Sequence, residues 1–284
     1  MKELITDYFG KCEMPENFTE LIELINQDDI KELHEPYLPT RIWRGQANID
    51  WQVNSSAYRR IENENRNWKE LEGGSEDDLY LVSEHQLIEY EKKLLNQATH
   101  KGFRTNGSER LSDFELLSKL QHHGAATRLL DFSRNALVAL WFCVSDLKEA
   151  TGCLIGVNYD LLSGYESRRI EDNYDKIIKS MDDNAIVYEP PQITGRISAQ
   201  NAQFLFSKVV NRTYGSIDLI GAIFIAISPE LKRKAHHILK SSFGFDTNYI
   251  FPDIEGFGVS NSINESTRNM SRSNLIYRRD DKKS

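Results

Sequence analysis

The chain has 284 residues, enough to bury a large core in one domain, and its 43 acidic side chains outnumber its 35 lysines and arginines, for a formal net charge of −8. This charge argues against binding of nucleic acid through the overall field of the protein and leaves only a local basic groove for that role. The three cysteines form an odd set without metal-ligand spacing, no stretch is long and apolar enough to cross a membrane, and no signal-peptide pattern opens the chain, so we expect a cytoplasmic protein without a membrane partner.

The first part of the chain predicts helices and one strand, separated by polar loops. Residues 17–26 (NFTELIELIN) have the spacing of a short amphipathic helix. Residues 40–46 (TRIWRGQ) predict a short strand that ends near a glycine. The polar, glycine-containing residues 62–77 predict a surface loop, residues 78–98 a long helix, and residues 101–110 a second loop.

Residues 120–142 (LQHHGAATRLLDFSRNALVALWF) hold a group of polar side chains between two apolar helical runs. The first run has helical spacing, with Ser112 or Asp113 as its N-cap and Gly124 as the residue after its C-terminus. The second run, residues 136–144, is apolar on every side and predicts a buried helix. The polar side chains between them are His122, His123, Thr127, Arg128, Asp131 and Ser133. Such side chains must be satisfied by protein partners or by a ligand.

The last part of the chain predicts buried strands and further helices. Residues 152–159 and 219–227 are continuously apolar and predict buried strands, and residues 185–188 predict a third. The charged residues 160–183 predict a helix, as do residues 229–242, which begin with a proline at the first helical position. Helices mixed with scattered short strands favour an α+β fold, with a compact mixed or antiparallel sheet flanked by helices in a single domain.

Four blocks of the sequence, in this order, resemble the FRG domain family. They are the aromatic-Arg-Gly block at 43–46 (WRGQ), the central block at 121–142, the block at 196–204 (RISAQ with Phe204) and the block at 251–256 (FPDIEG). Residues 55–59 (SSAYR) are similar to the family's Pro-Ser-Leu-x-Arg segment, with a serine and an alanine in place of its proline and leucine.

The resemblance implies a domain organisation and a biochemical setting. It implies a helical lead-in at 1–37, an FRG domain at 38–260, and a polar tail at 261–284, which its composition predicts to be poorly ordered. The family pattern is also similar to the ADP-ribosyltransferase superfamily, which implies an ADP-ribosyltransferase-like fold with NAD as the substrate. The expected setting is a bacterial toxin or antiphage-defence effector that acts on a protein or nucleic-acid target and has an antitoxin or regulatory partner.

The candidate site residues come from these blocks. Those expected to bind NAD are Trp43, Arg44, Gly45, Gln46, His123, Thr127, Ser133 and Arg196. Those expected to take part in catalysis are His122, Arg128, Asp131, Gln200 and Glu189. A guanidinium binds a diphosphate through two parallel hydrogen bonds, which makes Arg44 the first candidate. Adjacent histidines in a helix point about 100° apart and cannot easily hold one metal ion, so we expect no metal.

The third block carries Gln200 and Gln203 where the resemblance implies a catalytic glutamate. The acids that remain for this role are Glu189, Asp131 and Glu255. The two glutamines share one face if their segment is helical and point to opposite faces if it is extended.

Several alternatives follow from the same residues. In a purely structural role, Arg44 would pair with Asp131 in an internal salt bridge. Asp131 or Ser133 would cap the helix that begins near residue 135, and Asp253 would cap a terminal helix. The alternative functions are a non-catalytic nucleotide- or nucleic-acid-binding module and a metal-independent nuclease that uses His122 or His123 with Arg128. If the blocks form one site, a single cleft is lined by Arg44, His122, Arg128, Asp131 and Gln200.

Overall fold

The computed structural model describes residues 2–27, 41–71, 81–166, 174–181 and 184–262. Most of the tail predicted at 261–284 therefore lies outside the described residues.

The strands are β1 (Lys2–Thr6), β2 (Gly10–Met14), β3 (Arg41–Gln46), β4 (Thr105–Asn106), β5 (Glu109–Arg110), β6 (Leu130–Ser133), β7 (Gly152–Asn158), β8 (Ser163–Glu166), β9 (Ile186–Glu189), β10 (Ala202–Phe206) and β11 (Ile223–Ile227). The helices are α1 (Phe18–Ile25), α2 (Ser56–Leu71), α3 (Glu84–His100), α4 (Asp113–His122), α5 (Ala136–Ser145), α6 (Tyr174–Ser180), α7 (Gly195–Ala199), α8 (Pro229–Ser242), α9 (Thr247–Ile250) and α10 (Ile254–Ser260).

One large mixed sheet organises the fold. Its strands lie in the order β1-β2-β11-β7-β3-β6-β10-β9-β8. Neighbours run antiparallel, except that β2 is parallel to β11 and β8 is parallel to β9. The short strands β4 and β5 form a separate hairpin. Helices pack on this sheet, so the predicted α+β domain with a mixed sheet flanked by helices is confirmed.

Two groups of helices cover neighbouring parts of one sheet face. Helices α1, α5, α8 and α9 bury apolar side chains beside Trp43 of β3. Helices α3, α4 and α6 pack around Tyr188 of β9 and Phe204 of β10. Paired residues of neighbouring strands point to the same face, and Trp43 pairs with Ser133 while Asp131 pairs with Phe204. Both groups therefore lie on the same side of the sheet, and the candidate site lies between them.

The contact between β3 and α5 depends on Gly45. A Cβ atom at this position would overlap the carbonyl oxygen of Ala139 in α5. The strand therefore lies directly against the helix backbone. Strand β3 pairs with β6 only at Trp43 and Ser133, so Arg44 comes where this ladder ends.

The predicted helix signals agree with the structure at several termini. Ser112 caps α4 and forms a capping box with Glu115. Gly124, just after α4, has a positive φ of 86°. Ser228 caps α8, which begins with Pro229 as predicted. The cap of α5 is Asn135, so the prediction that Asp131 or Ser133 caps this helix is wrong.

The loop predicted at 62–77 is wrong over its described part, because α2 continues to Leu71. Among the residues of this helix whose burial is described, only Ala57, Tyr58 and Ile61 are buried, which leaves too narrow an apolar stripe to reveal the helix in the sequence. Residues such as arginine, glutamate and lysine have good helix propensity, and Arg60 and Glu64 form an ion pair one turn apart at 3.1 Å.

Other predicted bounds also change. The helix predicted at 78–98 begins only at Glu84, after the N-cap Ser83. The helix predicted at 160–183 is replaced in its first part by strand β8, which lies at the sheet edge and is specified by pairing with β9 rather than by its own periodicity. The strand predicted at 219–227 begins at Ile223, after a turn in which Gly221 has a φ of 66°. The lead-in at 1–37 contains the hairpin β1–β2, which the prediction of a helical segment missed. Among the described helices, none is long and apolar enough to cross a membrane.

A buried lysine ties α8 to the loop after α5. Lys232 has none of its surface exposed. Its ammonium group lies 2.8–3.1 Å from the main-chain carbonyl oxygens of Ala47, Asp146, Leu147 and Ala150. Burial lowers the pKa of Lys232. The hydrogen bonds to four carbonyls compensate for the loss of water around the charge.

We expect Lys232→Met to lower the free energy of unfolding by about 3 kcal/mol or more, because the buried carbonyls lose their donor. The matched control is Lys234→Met on the same helix, since the exposed Lys234 pairs only with the exposed Glu230 and should cost less than about 1 kcal/mol. Chemical denaturation of both variants measures the difference, and equal losses would contradict a clamp at Lys232.

Candidate ligand-binding site

Two adjoining cavities lie beside the C-terminal end of β3. Cavity A has a volume of about 290 Å³ and lies between the two helix groups, against β3, β6 and β10. Cavity B has a volume of about 400 Å³ and lies between α5, the start of α2 and the residues that follow β3. The two share Arg44, Gly45, Phe142 and Phe251 in their walls. Of the predicted site residues, cavity A is lined by Trp43, Arg44, Gly45, His122, Asp131, Ser133, Arg196 and Gln200.

Arg44 is half-buried and belongs to both cavities. Its Nη1 donates to the main-chain oxygen of Asp131 at 2.8 Å, and its Nε donates to Oε1 of Gln46 at 3.4 Å. Both acceptors are neutral, and no carboxylate of the described residues lies within ion-pair distance of its guanidinium. Burial lowers the pKa of Arg44, the negative charge of Asp131 opposes this effect, and the positive charge of Arg59 adds to it. The predicted internal salt bridge with the Asp131 carboxylate is therefore wrong, and Arg44 keeps its charge available to an anion.

The carboxylate of Asp131 is exposed in the wall of cavity A and is held by a hydrogen-bonded chain. Its Oδ1 accepts from Nε2 of Gln121 at 2.6 Å, and Oε1 of Gln121 accepts from the hydroxyl of Thr127. Thr127 is fully buried and does not line either cavity. Thr127 and Gln121 therefore orient the carboxylate of Asp131. Because Thr127 has no surface in either cavity, it cannot make the predicted contact with NAD.

A second polar cluster, which includes Arg196 and His122, also lines cavity A. Arg196 donates to both carboxylate oxygens of Asp253 at 2.9 Å, and its guanidinium lies 4.6 Å from the ring centre of Phe251. Asp253 also caps α10, as predicted, by accepting from the main-chain NH of Gly256 at 2.8 Å. Burial alone would raise the pKa of Asp253, but the hydrogen bonds from Arg196 and Gly256 lower it. Arg196 is thus already paired, in contrast to Arg44.

His122 belongs to this cluster. Its Nε2 lies 3.3 Å from Oδ2 of Asp253, and its Nδ1 lies 3.4 Å from the hydroxyl of Thr194. Burial lowers the pKa of His122, as do the charges of Arg196 and His123, although Asp253 opposes them. The imidazole is therefore neutral at pH 7.

Ser133 and Gln200 line cavity A, but their polar groups form hydrogen bonds within the protein. The hydroxyl of Ser133 donates to the main-chain oxygen of Gln200 at 2.6 Å and accepts from the NH of Asn135 at 2.9 Å. The amide of Gln200 donates to the main-chain oxygen of Ile250 at 3.1 Å. Gln203 lies on β10, where its neighbours Ala202 and Phe204 line the cavity, so its side chain points to the opposite face.

Arg128 does not share the cleft, so this part of the one-cleft prediction is wrong. It is 2% exposed and donates to Glu91 at 2.5 Å, to Glu84 at 3.1 Å and to the hydroxyl of Tyr174 at 2.8 Å. Burial alone would lower the pKa of Arg128, but Glu91, Tyr174 and Glu84 raise it. Arg128 thus joins α3 and α6 to β6 inside the core, and it is not available for catalysis.

Three other predicted residues lie outside both cavities. Glu189 ends β9 and pairs with Arg134 at 2.6 Å. His123 is exposed, and its ring nitrogen lies 3.8 Å from the exposed carboxylate of Glu255. Neither Glu189, His123 nor Glu255 lines cavity A or cavity B, which leaves Asp131 as the acid of the four blocks that lines the double cavity without an arginine partner.

Trp43, Gly45 and Gln46 of the first block form part of the cavity walls beside Arg44. Trp43 is buried, and its ring lies over Gly156, where a Cβ would come 2.7 Å from the indole. Gln46 lines cavity B, and its Nε2 donates to the main-chain oxygen of Trp51 at 2.9 Å. The missing side chain of Gly45 faces α5 rather than a ligand. These residues hold Arg44 in position.

His122, Asp253 and Glu255 bring one ligand atom each to within 4.8 Å of one another, which is a spacing that a metal ion can use. The guanidinium of Arg196 bonds both oxygens of Asp253, and its positive charge opposes a second cation there. The absence of a metal therefore stays a prediction.

Three residues that shape this region were not among the predicted site residues. Gln121 orients Asp131, Arg59 lines cavity B, and Glu91 pairs with Arg128. Glu91 had a readable signal, because it occupies the apolar stripe of α3 between Leu87 and Leu95, where a carboxylate needs a buried cation.

The chain forms an α+β domain with a double cavity that has charged and aromatic side chains in its walls. The family model of the FRG domain matches residues 40–151, from β3 through α5, which supports the predicted resemblance to this family. The blocks at 196–204 and 251–256 lie outside this match, yet Arg196, Gln200 and Phe251 line the same cavity A. The comparison with curated proteins found no match, and the comparison with solved structures found none either.

Because the pKa of His122 is lowered in the folded state, we expect the free energy of unfolding to decrease as the pH falls. In the unfolded chain a histidine takes up a proton near pH 6.5, whereas folded His122 resists it, so the folded state loses stability as the pH falls below that value. We expect His122→Gln to lose less unfolding free energy than the wild type between about pH 7.5 and pH 5.5. Asp253 contributes only in a lower window, because its pKa is lowered from an already acidic value.

Denaturation curves at both pH values measure this difference. A wild-type pH dependence in His122→Gln would contradict the assignment.

Proposed function

We propose that the double cavity binds NAD and that the chain is an NAD-dependent ADP-ribosyltransferase-like effector. The observation that carries the proposal is Arg44, a cation without a carboxylate partner among the described residues, at the junction of two cavities. A planar guanidinium in this position suits a diphosphate that joins two larger groups, since it can donate two parallel hydrogen bonds.

The residues around Arg44 fit such an elongated anionic ligand. Cavity B has an aromatic wall that includes Trp51 and Trp141, and cavity A ends at the polar groups of Asp131 and His122. Aromatic faces bind flat rings, and polar side chains bind hydroxyl and amide groups. Each half of a dinucleotide thus has a cavity of matching chemistry on its own side of Arg44.

Asp131 is the residue we assign to the chemistry. Cleavage of the bond between nicotinamide and ribose develops positive charge on the sugar, which a nearby carboxylate stabilises. The side chain of Asp131 is exposed in cavity A, and Gln121 holds it in one orientation. His122 lines cavity A, and its ring nitrogens face Asp253 and Thr194, so we assign it a supporting role in the wall of the cavity.

The second candidate is a non-catalytic nucleotide-binding module. It is favoured by the third block, where Gln200 bonds Ile250 and Gln203 faces away, so this block contributes no acid to cavity A. The metal-independent nuclease has less support, because Arg128 is buried in ion pairs away from His122. The role in toxicity or antiphage defence, the cytoplasmic location, the modified target and an antitoxin partner remain proposals that rest on the family resemblance.

We expect Arg44→Ala to weaken NAD binding by at least about tenfold, because charge-assisted hydrogen bonds to the diphosphate are lost, and Arg44→Lys to recover little of it, because lysine lacks the planar fork. Isothermal titration with NAD measures both variants. The matched control is Arg233→Ala, which removes an exposed arginine of α8 that pairs with Glu149. Wild-type NAD affinity in a folded Arg44→Ala variant would refute the proposal.

We expect Asp131→Asn to keep NAD binding but to slow NAD consumption by roughly a hundredfold or more, because the neutral amide cannot stabilise the developing charge. The carbonyl oxygen of the introduced amide can still accept from Gln121, so the local structure should persist. The control is Glu189→Gln, which should consume NAD at the wild-type rate. If wild-type protein binds NAD without consuming it, the binding module is the correct function; if Asp131→Asn retains full activity, Asp131 is not the acid.

A further inference from the structure

Arg59 is a second arginine beside the site and has no partner of its own among the described residues. It lies in the first turn of α2 and lines cavity B together with Arg44. Within the described residues its side chain makes no hydrogen bond or ion pair. Its charge is close enough to lower the pKa of Arg44. Two like charges that face one cavity repel each other, and an anion between them removes that cost.

Among the described residues, the carboxylates near Arg59 form no ion pair with it. Glu62 follows it by three residues on α2, but the two side chains form no ion pair within 4 Å, and burial raises the pKa of Glu62 despite the opposing charges of Arg66 and Arg59. Asp146 lines cavity B, but its Oδ1 accepts from the main-chain NH of Leu147 at 2.8 Å. Within the described part of the chain, the guanidinium of Arg59 therefore stays free for a ligand.

The rest of cavity B suits a flat ring. Trp51 is 47% exposed, and with Trp141, Phe142 and Phe251 it forms the aromatic part of the wall. The rings of Trp141, Phe142 and Phe251 contact one another edge-on at centre distances of 5.2–5.9 Å, which fixes this part of the wall. Nucleobases stack on such surfaces, and arginines beside them bind phosphates.

We propose that cavity B binds the nucleoside diphosphate part of the ligand, with Arg59 and Arg44 on the phosphates and Trp51 on the base. This assignment rests on the proposed function, because it leaves cavity A, with Asp131, for the half that reacts. It makes Arg59 a binding residue and cavity B the part of the site that selects nucleotides over inorganic anions.

The test uses ADP as the probe for cavity B and nicotinamide mononucleotide as the probe for cavity A, titrated into the full-length protein. We expect Arg59→Ala to weaken ADP binding by at least about tenfold and to change binding of the mononucleotide by less than about twofold. The control is Arg60→Ala, the next residue of the same helix, which pairs with Glu64 and lines neither cavity. It should bind both probes like the wild type.

A third variant separates the base from the phosphates. Trp51→Ala should weaken ADP by at least about fivefold and leave pyrophosphate binding unchanged, because only ADP carries a ring to stack. Thermal melts check that the variants are folded, which is expected because the side chains of Arg59 and Trp51 both reach the surface.

The outcomes distinguish this inference from the proposed function. If ADP does not bind the wild type, or binds Arg59→Ala with wild-type affinity, the inference is overturned, while loss of NAD binding in Arg44→Ala would still support the proposed function. If Arg59→Ala weakens both probes equally, the division into two halves is wrong. If ADP binding depends on Arg59 and Trp51 but NAD is never consumed, the inference holds and the transferase activity fails.

Discussion

The close contact between Gly45 and the Ala139 carbonyl is the constraint on which the site depends. It lets β3 lie directly on the backbone of α5. Gly45 stands between Arg44 and Gln46, so this contact fixes the position of both neighbours. Because β3 also pairs with β7 along its whole length, the strand has no freedom to shift. Arg44 is thereby held at the end of the short β3–β6 ladder, where its guanidinium reaches the main chain of Asp131.

The partners of the arginines decide which of them can bind a ligand. Arg128 donates to two glutamates inside the core, and Arg196 donates to both oxygens of Asp253. A buried charge without such a partner costs several kcal/mol, so these pairs are structural requirements. Arg44 and Arg59 lack a carboxylate partner among the described residues, yet they line the same cavity. Two such guanidinium groups that face one cavity favour an anionic ligand there.

Local signals in the sequence predicted much of the fold but only part of the site. Capping residues and apolar runs located α4, α5, α8 and β7, because these elements are specified by their own side chains. Helix α2 was missed because it is polar and buries few residues, and β8 because pairing with β9 specifies it. Arg44 and Arg128 could not be told apart by sequence, since the partners of Arg128 lie on α3, 37 and 44 residues away. The predicted salt bridge between Arg44 and Asp131 failed for a tertiary reason, because the fold brings the main-chain oxygen of Asp131 to Arg44 rather than its carboxylate.

The two roles assigned to Asp131 come from different parts of the same residue. Its main-chain oxygen accepts from Arg44, and its carboxylate is turned to Gln121 in cavity A. A direct salt bridge would have neutralised both groups and left neither for a ligand. With the contact made through the main chain, the positive and the negative charge stay close without pairing. In the proposed complex, the anionic diphosphate lies near Arg44. The adjoining sugar, which becomes positive in the transition state, lies near the carboxylate of Asp131. This separation of the two charges at Asp131 is the feature that most supports the proposal that the site binds NAD.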